Sequence, residues 1–498
     1  MESVRNNINA YIFFSAFFFF AIFAPFGNIP SDTEYSIETA KSIYYKHSLS
    51  IEKSDKFWSL TPTRQGKYQS KYGIGYAFIF IPHVICADII SKFFNINFNY
   101  ILNFFISFTN TILAAFIALI FFLIFITLGY SYKISLISTG LLCIASPLLP
   151  YSKIIHAEIP SLLLILLFIL GICKKPKLNL KNGFYFGFIA SSLYLIKISN
   201  ILISLIILSY IIYLYLKKNY SNYGILGFSV FFVIPFLLLL FRNYHYYGSI
   251  CNFGYGEEQK RFSTPFFEGL FGYLFSPSKS IFIFSPLIIF SFYSFSSFLK
   301  SHKIVCIYIS LIFFSYIFLF SQWWDWSGGW CFGPRLIIPA VILCNIFIVD
   351  FISKFNKNII KKIFFVILLI FSFYINLLGT LVWYQQIYYF NKDFFSISNS
   401  HPIIATKIFF HKLLAKPEIY DCNDYNINCS QSPYTSVWKD ITKNNKLDFS
   451  SFEKFNGFAI MWIGLYKYFG WKWPIFIPFI FFFVSIFLFF KVLTNKYI

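Results

Sequence analysis

Apolar runs alternate with short polar connections from one end of the chain to the other. Stretches near the ~20 residues that a helix needs to cross a hydrocarbon core fall at 10–28, 101–128, 134–150, 156–173, 184–199, 200–216, 221–241, 280–299, 304–321, 335–353, 362–384 and 473–491. The pattern predicts an all-α polytopic membrane protein with about 12 transmembrane helices, within a range of 11–13. The first run follows a short basic start and lacks a small-residue cleavage site, which predicts a retained helix rather than a removed signal.

Ile74–Phe94 is also apolar enough to cross, but counting it inverts every later connection. It is therefore expected to be a re-entrant or interfacial element, unless one of the pairs 134–173 or 184–216 is divided wrongly. His83 and Asp88 within it suit a partly polar setting.

Composition agrees with lipid as the solvent. Hydrophobic residues make up 58% of the chain, charged residues only 12%, and mean hydropathy is +0.66, against about a quarter charged in soluble domains. The net charge of +21 does not indicate nucleic acid, because Lys and Arg are dispersed between spans with no basic arm or domain.

Charge then gives sidedness. One set of connections is short and basic, holding Lys133, Lys174, Lys175, Lys177, Lys181, Lys217, Lys218, Lys300, Lys303, Lys354, Lys357, Lys361 and Lys362, and it contains no Asp or Glu. The positive-inside bias places that set, with the tail carrying Lys491 and Lys496, in the cytoplasm. The other set holds 17 of the 20 acidic residues and is expected on the outer face of a bacterial inner membrane. The expected organisation is a transmembrane core over 1–384 with outer loops 29–73, 242–279 and 322–334, a polar outer cap at 385–472, and a last helix with its tail at 473–498. Cys422 and Cys429 share the cap and pair only if it faces an oxidising compartment. No cysteine cluster has metal-ligand spacing, so no metal is assigned and any cofactor is left unknown.

Four outer segments carry reactive residue types. Pro30–Tyr35 holds Asp32 and Glu34 just above the membrane, where a carboxylate can serve as general base toward a hydroxyl, or be only a solvated loop charge. Gly66–Gly75 places Lys71 in a Gly-rich turn suited to a phosphate, though a snorkelling lysine beside a helix start has the same pattern. His156 and Glu158 sit at the lip of a span, where ionisable groups are costly and point to function; they could assist a base or bind a metal.

The fourth segment, Gln322–Arg335, contains Trp324, Asp325, Trp326 and the lone Arg335. Indole faces stack on sugar rings, glycines let a loop close over a ligand, and Arg suits bidentate phosphate contact. An interfacial aromatic belt would explain the Trp residues, but not Gly328-Gly329 or an outward Arg. A fifth stretch, from Arg242 through the two Ser-Pro pairs at Ser276-Pro277 and Ser285-Pro286, reads as an outer amphipathic stretch that turns into the next span, for packing in the first place or else to line a lipid chain.

In this order the motifs resemble the GT-C glycosyltransferases that use polyprenyl-phosphate sugars, such as protein O-mannosyltransferases and lipid A aminoarabinose transferases, and a bacterial branch of that superfamily in particular. The resemblance covers roughly 10–350 and rests on Asp32, Gly66–Gly75, Asn252–Gly256, Ser276–Pro286 and Trp326–Arg335. It implies an Asp in the first outer loop as catalytic base. Family members often follow that Asp directly with Glu; here Thr33 intervenes, leaving Asp32 or Glu34 for the role. It further implies that Lys71 and Arg335 hold the carrier phosphate and that the anomeric configuration inverts. Metal dependence differs among relatives and is not carried over.

The expected function is thus transfer of a sugar from a polyprenyl-phosphate donor to a lipid, glycan or protein acceptor, with membrane lipids as surroundings and no nucleic acid as partner. A transporter or flippase for a lipid-linked glycan predicts charges lining the middle of spans; only Lys197 reads as a mid-span cation, and Asp350 lies near a basic end. A non-catalytic glycan-binding partner shares the aromatic loops and differs only in activity.

Overall fold

The computed structural model describes residues 2–25, 30–53, 60–256, 258, 261–329, 331–355, 359–382, 393–413, 460–462, 465 and 472–494. Trp330, Cys422, Cys429 and most of the cap expected at 385–472 lie outside them. The helices are α1 (Glu2–Ala21), α2 (Ser31–Lys46), α3 (Ile74–Phe94), α4 (Phe98–Ser107), α5 (Thr109–Thr127), α6 (Tyr132–Ile144), α7 (Leu148–Tyr151), α8 (Glu158–Cys173), α9 (Leu180–Ile196) and α10 (Ile201–Leu216). They continue with α11 (Asn222–Tyr247), α12 (Phe266–Phe275), α13 (Ile281–Phe284), α14 (Ile288–Ser301), α15 (Lys303–Ser321), α16 (Ile338–Cys344), α17 (Ile348–Ser353), α18 (Ile359–Leu381), α19 (His401–Leu413) and α20 (Ile477–Leu493). A two-stranded antiparallel hairpin, β1 (Leu60–Pro62) and β2 (Tyr68–Ser70), sits in the first loop with Leu60 opposite Ser70.

The chain is an all-α, multi-pass integral membrane protein. Among the described residues, eight helical stretches are long and apolar enough to cross a bilayer. Seven coincide with expected spans, and the eighth is Ile74–Phe94. The other five expected spans fall on the shorter helices α1, α6, α8, α9 and α14. The expected 134–150 span is cut short because Pro147 offers no N–H and disfavours a helical residue before it, so α6 stops at Ile144. Starts are set by side-chain caps, with Ser131, Asn179 and Ser221 each accepting from an early backbone N–H of α6, α9 and α11.

Arg335–Ser353 is the central element, with 89% of its apolar window buried, while the α20 window is only 11% buried and faces outward. The main core packs α5, α8, α9, α10 and α15 around it. The connections then gather at two ends. Leu178 and Tyr220 bridge two of the lysine-rich connections at one end, while the acidic segments meet at the other.

α3 has the length and composition of a span and packs against α2, α4 and the end of α9. Glycine at 73, before its first turn, lies against the carbonyls of Leu195 and Ile196 at the end of α9. Further along, Tyr76 meets Thr33 and His83 meets Thr109 at the start of α5. The polar helix α2 accompanies it, with Tyr44 and Tyr45 donating to Asp88 at 3.1 and 2.7 Å. α3 is one continuous helix, long and apolar enough to cross a bilayer, rather than a re-entrant loop.

Candidate functional site

The acidic end brings together residues from six distant segments. Helix α2 starts after the extended Pro30 and carries Asp32 and Glu34 in its first turn, where the positive end of the helix dipole favours carboxylates. Residues two apart on a helix point to different faces. Accordingly, Asp32, and not Glu34, is the carboxylate that Arg335 and Tyr72 engage: Arg335 Nη2 donates to Oδ2 at 2.5 Å and the Tyr72 hydroxyl to Oδ1 at 2.7 Å. Thr33, between them, turns inward to the Ile155 carbonyl and the Tyr76 hydroxyl.

Arg335 also reaches Glu158 Oε1 at 3.3 Å, and Lys197 Nζ meets the same oxygen at 3.0 Å. The result is a carboxylate–guanidinium–carboxylate–ammonium chain in which the Glu158 side chain is only 2% exposed. Among the described residues, Glu158 Oε2 and both ring nitrogens of the buried His156 have no hydrogen-bond partner. Next to this chain, Lys71 pairs with Glu258 at 2.8 Å and lies over the rings of Tyr72 and Tyr255, at 5.6 and 6.0 Å. Tyr72 thus links the two charge clusters.

Electrostatics follow from burial and pairing. Burial opposes the Asp32 charge, but the Arg335 guanidinium, aided by the Arg335 and Tyr72 hydrogen bonds, holds its carboxyl well below the usual range. Burial and the Asp32 charge push the Tyr72 hydroxyl well up, so it remains a donor. No group of three or more His, Cys, Asp or Glu side chains among the described residues could hold a metal ion.

The aromatic loop divides. Trp324 is 43% exposed beneath the Arg261 guanidinium, 5.3 Å from its ring. Trp326, in contrast, is buried edge-to-face on Tyr273, and its carbonyl accepts the Tyr273 hydroxyl at 2.6 Å. A Cβ at Gly272 would come within 2.2 Å of the Trp326 ring, so glycine at that position of α12 makes room for the indole. Asp325 serves its own turn, accepting from the Ser327 hydroxyl and the Gly329 N–H. Removal of these two Trp side chains is therefore expected to separate stability from ligand contact. Trp326→Ala should cost about 3–5 kcal/mol, the usual range for a large buried aromatic, seen as a lowered thermal midpoint in detergent. Trp324→Ala should leave that midpoint nearly unchanged; equal losses would refute the division.

Lys197 corrects the sequence reading of a mid-span cation. Helix α9 ends at Ile196, Lys197 is extended (φ −152°, ψ 119°), and its ammonium turns to Glu158 at the acidic end. Its signal was present, since a lysine inside an apolar run needs a partner. The reading of the Arg242 stretch as packing also needs revision. Arg242 Nη2 donates to Gln69 Oε1 at 2.6 Å, lies 5.5 Å from the Tyr247 ring, and lines a small cleft with Ser36, Thr39, Ser70 and Tyr72. An Arg on the acidic side was the clue there, as it was for Arg335.

No family model and no curated protein matches the sequence. Among solved structures, the chain is similar to the crystal structure of ArnT from Cupriavidus metallidurans bound to undecaprenyl phosphate, at 10% identity and a TM-score of 0.43, over 99% of this chain and 78% of that one.

Proposed function

We propose that the protein is an inverting glycosyltransferase that takes a sugar from a polyprenyl-phosphate carrier at the outer face of a bacterial inner membrane. The observation that carries this reading is the Asp32–Arg335–Glu158–Lys197 chain, with Lys71–Glu258 beside it, at the acidic end of a lipid-embedded bundle. Burying this many charges is costly and offers little net stability against apolar packing, so a chemical role accounts for them better than a structural one.

In this reading the donor's polyprenyl tail lies among the spans and its phosphate approaches Arg335 and Lys71. As the phosphate leaves the anomeric carbon, these cations stabilise its growing charge. Their attraction is then shared with the phosphate, which relaxes the hold of Arg335 on Asp32 and makes that carboxylate a better proton acceptor. Asp32 removes the acceptor's proton as the hydroxyl attacks from the opposite face. His156 and the free oxygen of Glu158 are placed to hold sugar hydroxyls, and the exposed face of Trp324 to stack on a sugar ring. Trp326 and Asp325 support the loop that presents Arg335.

The test is to incubate detergent-purified protein with radiolabelled polyprenyl-phosphate sugars and a membrane extract, following label into acceptor and release of polyprenyl phosphate. Label transfer with stoichiometric lipid phosphate release supports the reading. Neither transfer nor hydrolysis from any sugar tested would overturn it.

A further inference from the structure

Lys279 lies in the Ser276–Ser280 segment, outside the charge clusters described above, and is wholly buried at 0% exposure. Among the described residues no carboxylate forms an ion pair with it. Instead its ammonium donates to the carbonyls of Cys331 and Gly333, both at 3.3 Å, contacts Cys331 Sγ at 3.4 Å, and lies 5.3 Å from the Phe394 ring. An ammonium taken out of water is expensive unless its hydrogen bonds are strong and fixed.

The bond to Gly333 has a specific consequence. The same carbonyl accepts the backbone N–H of Arg335 at 3.0 Å. The intervening Phe332 carbonyl accepts the Tyr151 hydroxyl at 2.8 Å, so three successive carbonyls leading to Arg335 are held from the core. Gly333 adopts φ +65°, a left-handed turn that aims these carbonyls inward while Arg335 turns toward Asp32. Releasing Lys279 would leave the buried Cys331 carbonyl without its ammonium donor and the Gly333 carbonyl with only the Arg335 N–H and the Cys331 thiol.

We propose that Lys279 is a positioning residue for Arg335: its ammonium sets the turn at Gly333 and so the reach of the guanidinium to Asp32 and Glu158. The same segment ties in the chain after α18, since Ser276 Oγ donates to the Phe394 carbonyl at 2.6 Å and Ser278 Oγ accepts the His401 N–H at 3.2 Å. The lipid-binding part of the test rests on the donor-phosphate reading; the stability part does not.

The experiment is a double-mutant cycle of Lys279→Met and Arg335→Gln, with Lys279→Gln as a variant that keeps one donor. Thermal unfolding in detergent and binding of undecaprenyl phosphate are both read. If Lys279 acts through Arg335, the two losses in thermal midpoint will be clearly less than additive, and Lys279→Gln will recover part of the loss. Lys279→Met should also weaken lipid binding roughly tenfold, with little further loss in an Arg335→Gln background. Additive thermal shifts, or Lys279→Gln no better than Lys279→Met, would overturn the proposal. Should Lys279→Met fail to fold, Lys279→Gln with Arg335→Gln completes the cycle under the same criterion. Wild-type protein that binds no undecaprenyl phosphate would count against the donor reading, while the thermal cycle would still decide the role of Lys279.

Discussion

Asp32→Asn is expected to lower sugar transfer by about 10²–10⁴-fold, the usual contribution of a positioned general base, while Glu34→Gln changes it by only a few-fold. The asparagine keeps the shape and an acceptor for Tyr72 but cannot take a proton. Its structural cost should be moderate, because Asp32 is 24% exposed and its loss leaves Arg335 paired with Glu158. The measurement is initial transfer rate with donor saturating, so that loss of turnover is separated from loss of binding. Equal loss in both variants, or full activity in Asp32→Asn, would move the chemistry elsewhere, with Glu158 as the next carboxylate.

Arg335→Gln should have the larger effect on stability. Arg335 is 14% exposed and, among the described residues, is the only side chain that pairs with both Asp32 and Glu158. Removing one partner of a buried ion pair costs about 3–5 kcal/mol, because the other charge is left uncompensated. The partial exposure of Asp32 and the remaining Lys197–Glu158 pair argue for the lower end, about 3 kcal/mol.

The pH dependence should also change sign. In the wild type the Asp32 carboxyl is held below its unfolded value near ~3.9. It therefore adds stability above that pH, and this is lost as pH falls. Without the guanidinium, burial prevails and raises the Asp32 value, so acidification near pH ~4–5 should stabilise the variant instead. Transfer by Arg335→Gln should fall by about 10²–10³-fold, as for loss of a preorganised charge at a transition state, and acquire an acid-side decline nearer neutrality. Thermal midpoints from pH 4 to 8 and transfer rates over the same range check both. A variant as stable as wild type at each pH would show that Arg335 does not hold these carboxylates together.

Much of this was legible in the residues. Hydrophobic run length and the segregation of lysines from carboxylates depend only on neighbours along the chain, so the helical spans and the two chemically distinct ends could be read directly. Asp32, His156, Glu158 and Arg335 stood out because an ionisable group beside an apolar run must find a partner. Finding which partner requires the third dimension: Asp32 and Arg335 are 303 positions apart.

Other features were hidden for specific reasons. Trp324 and Trp326 are equivalent in composition, yet a glycine in α12 makes room for one and not the other. Lys279 sat in a Ser-Pro stretch that read as packing, because its partners are backbone carbonyls, and carbonyls carry no sequence signature.

The sequence by itself therefore determined that the chain is built of membrane helices, which end of the bundle gathers its charge, and which few residues were worth watching there. Only the tertiary structure decided that α3 is one continuous helix packed against α2 and α4, that Asp32 rather than Glu34 meets Arg335, and that the Lys197 ammonium turns to Glu158. The reason is that run length and charge are summed along the chain, whereas tilt, helix phase and pairing are set by what packs against each element.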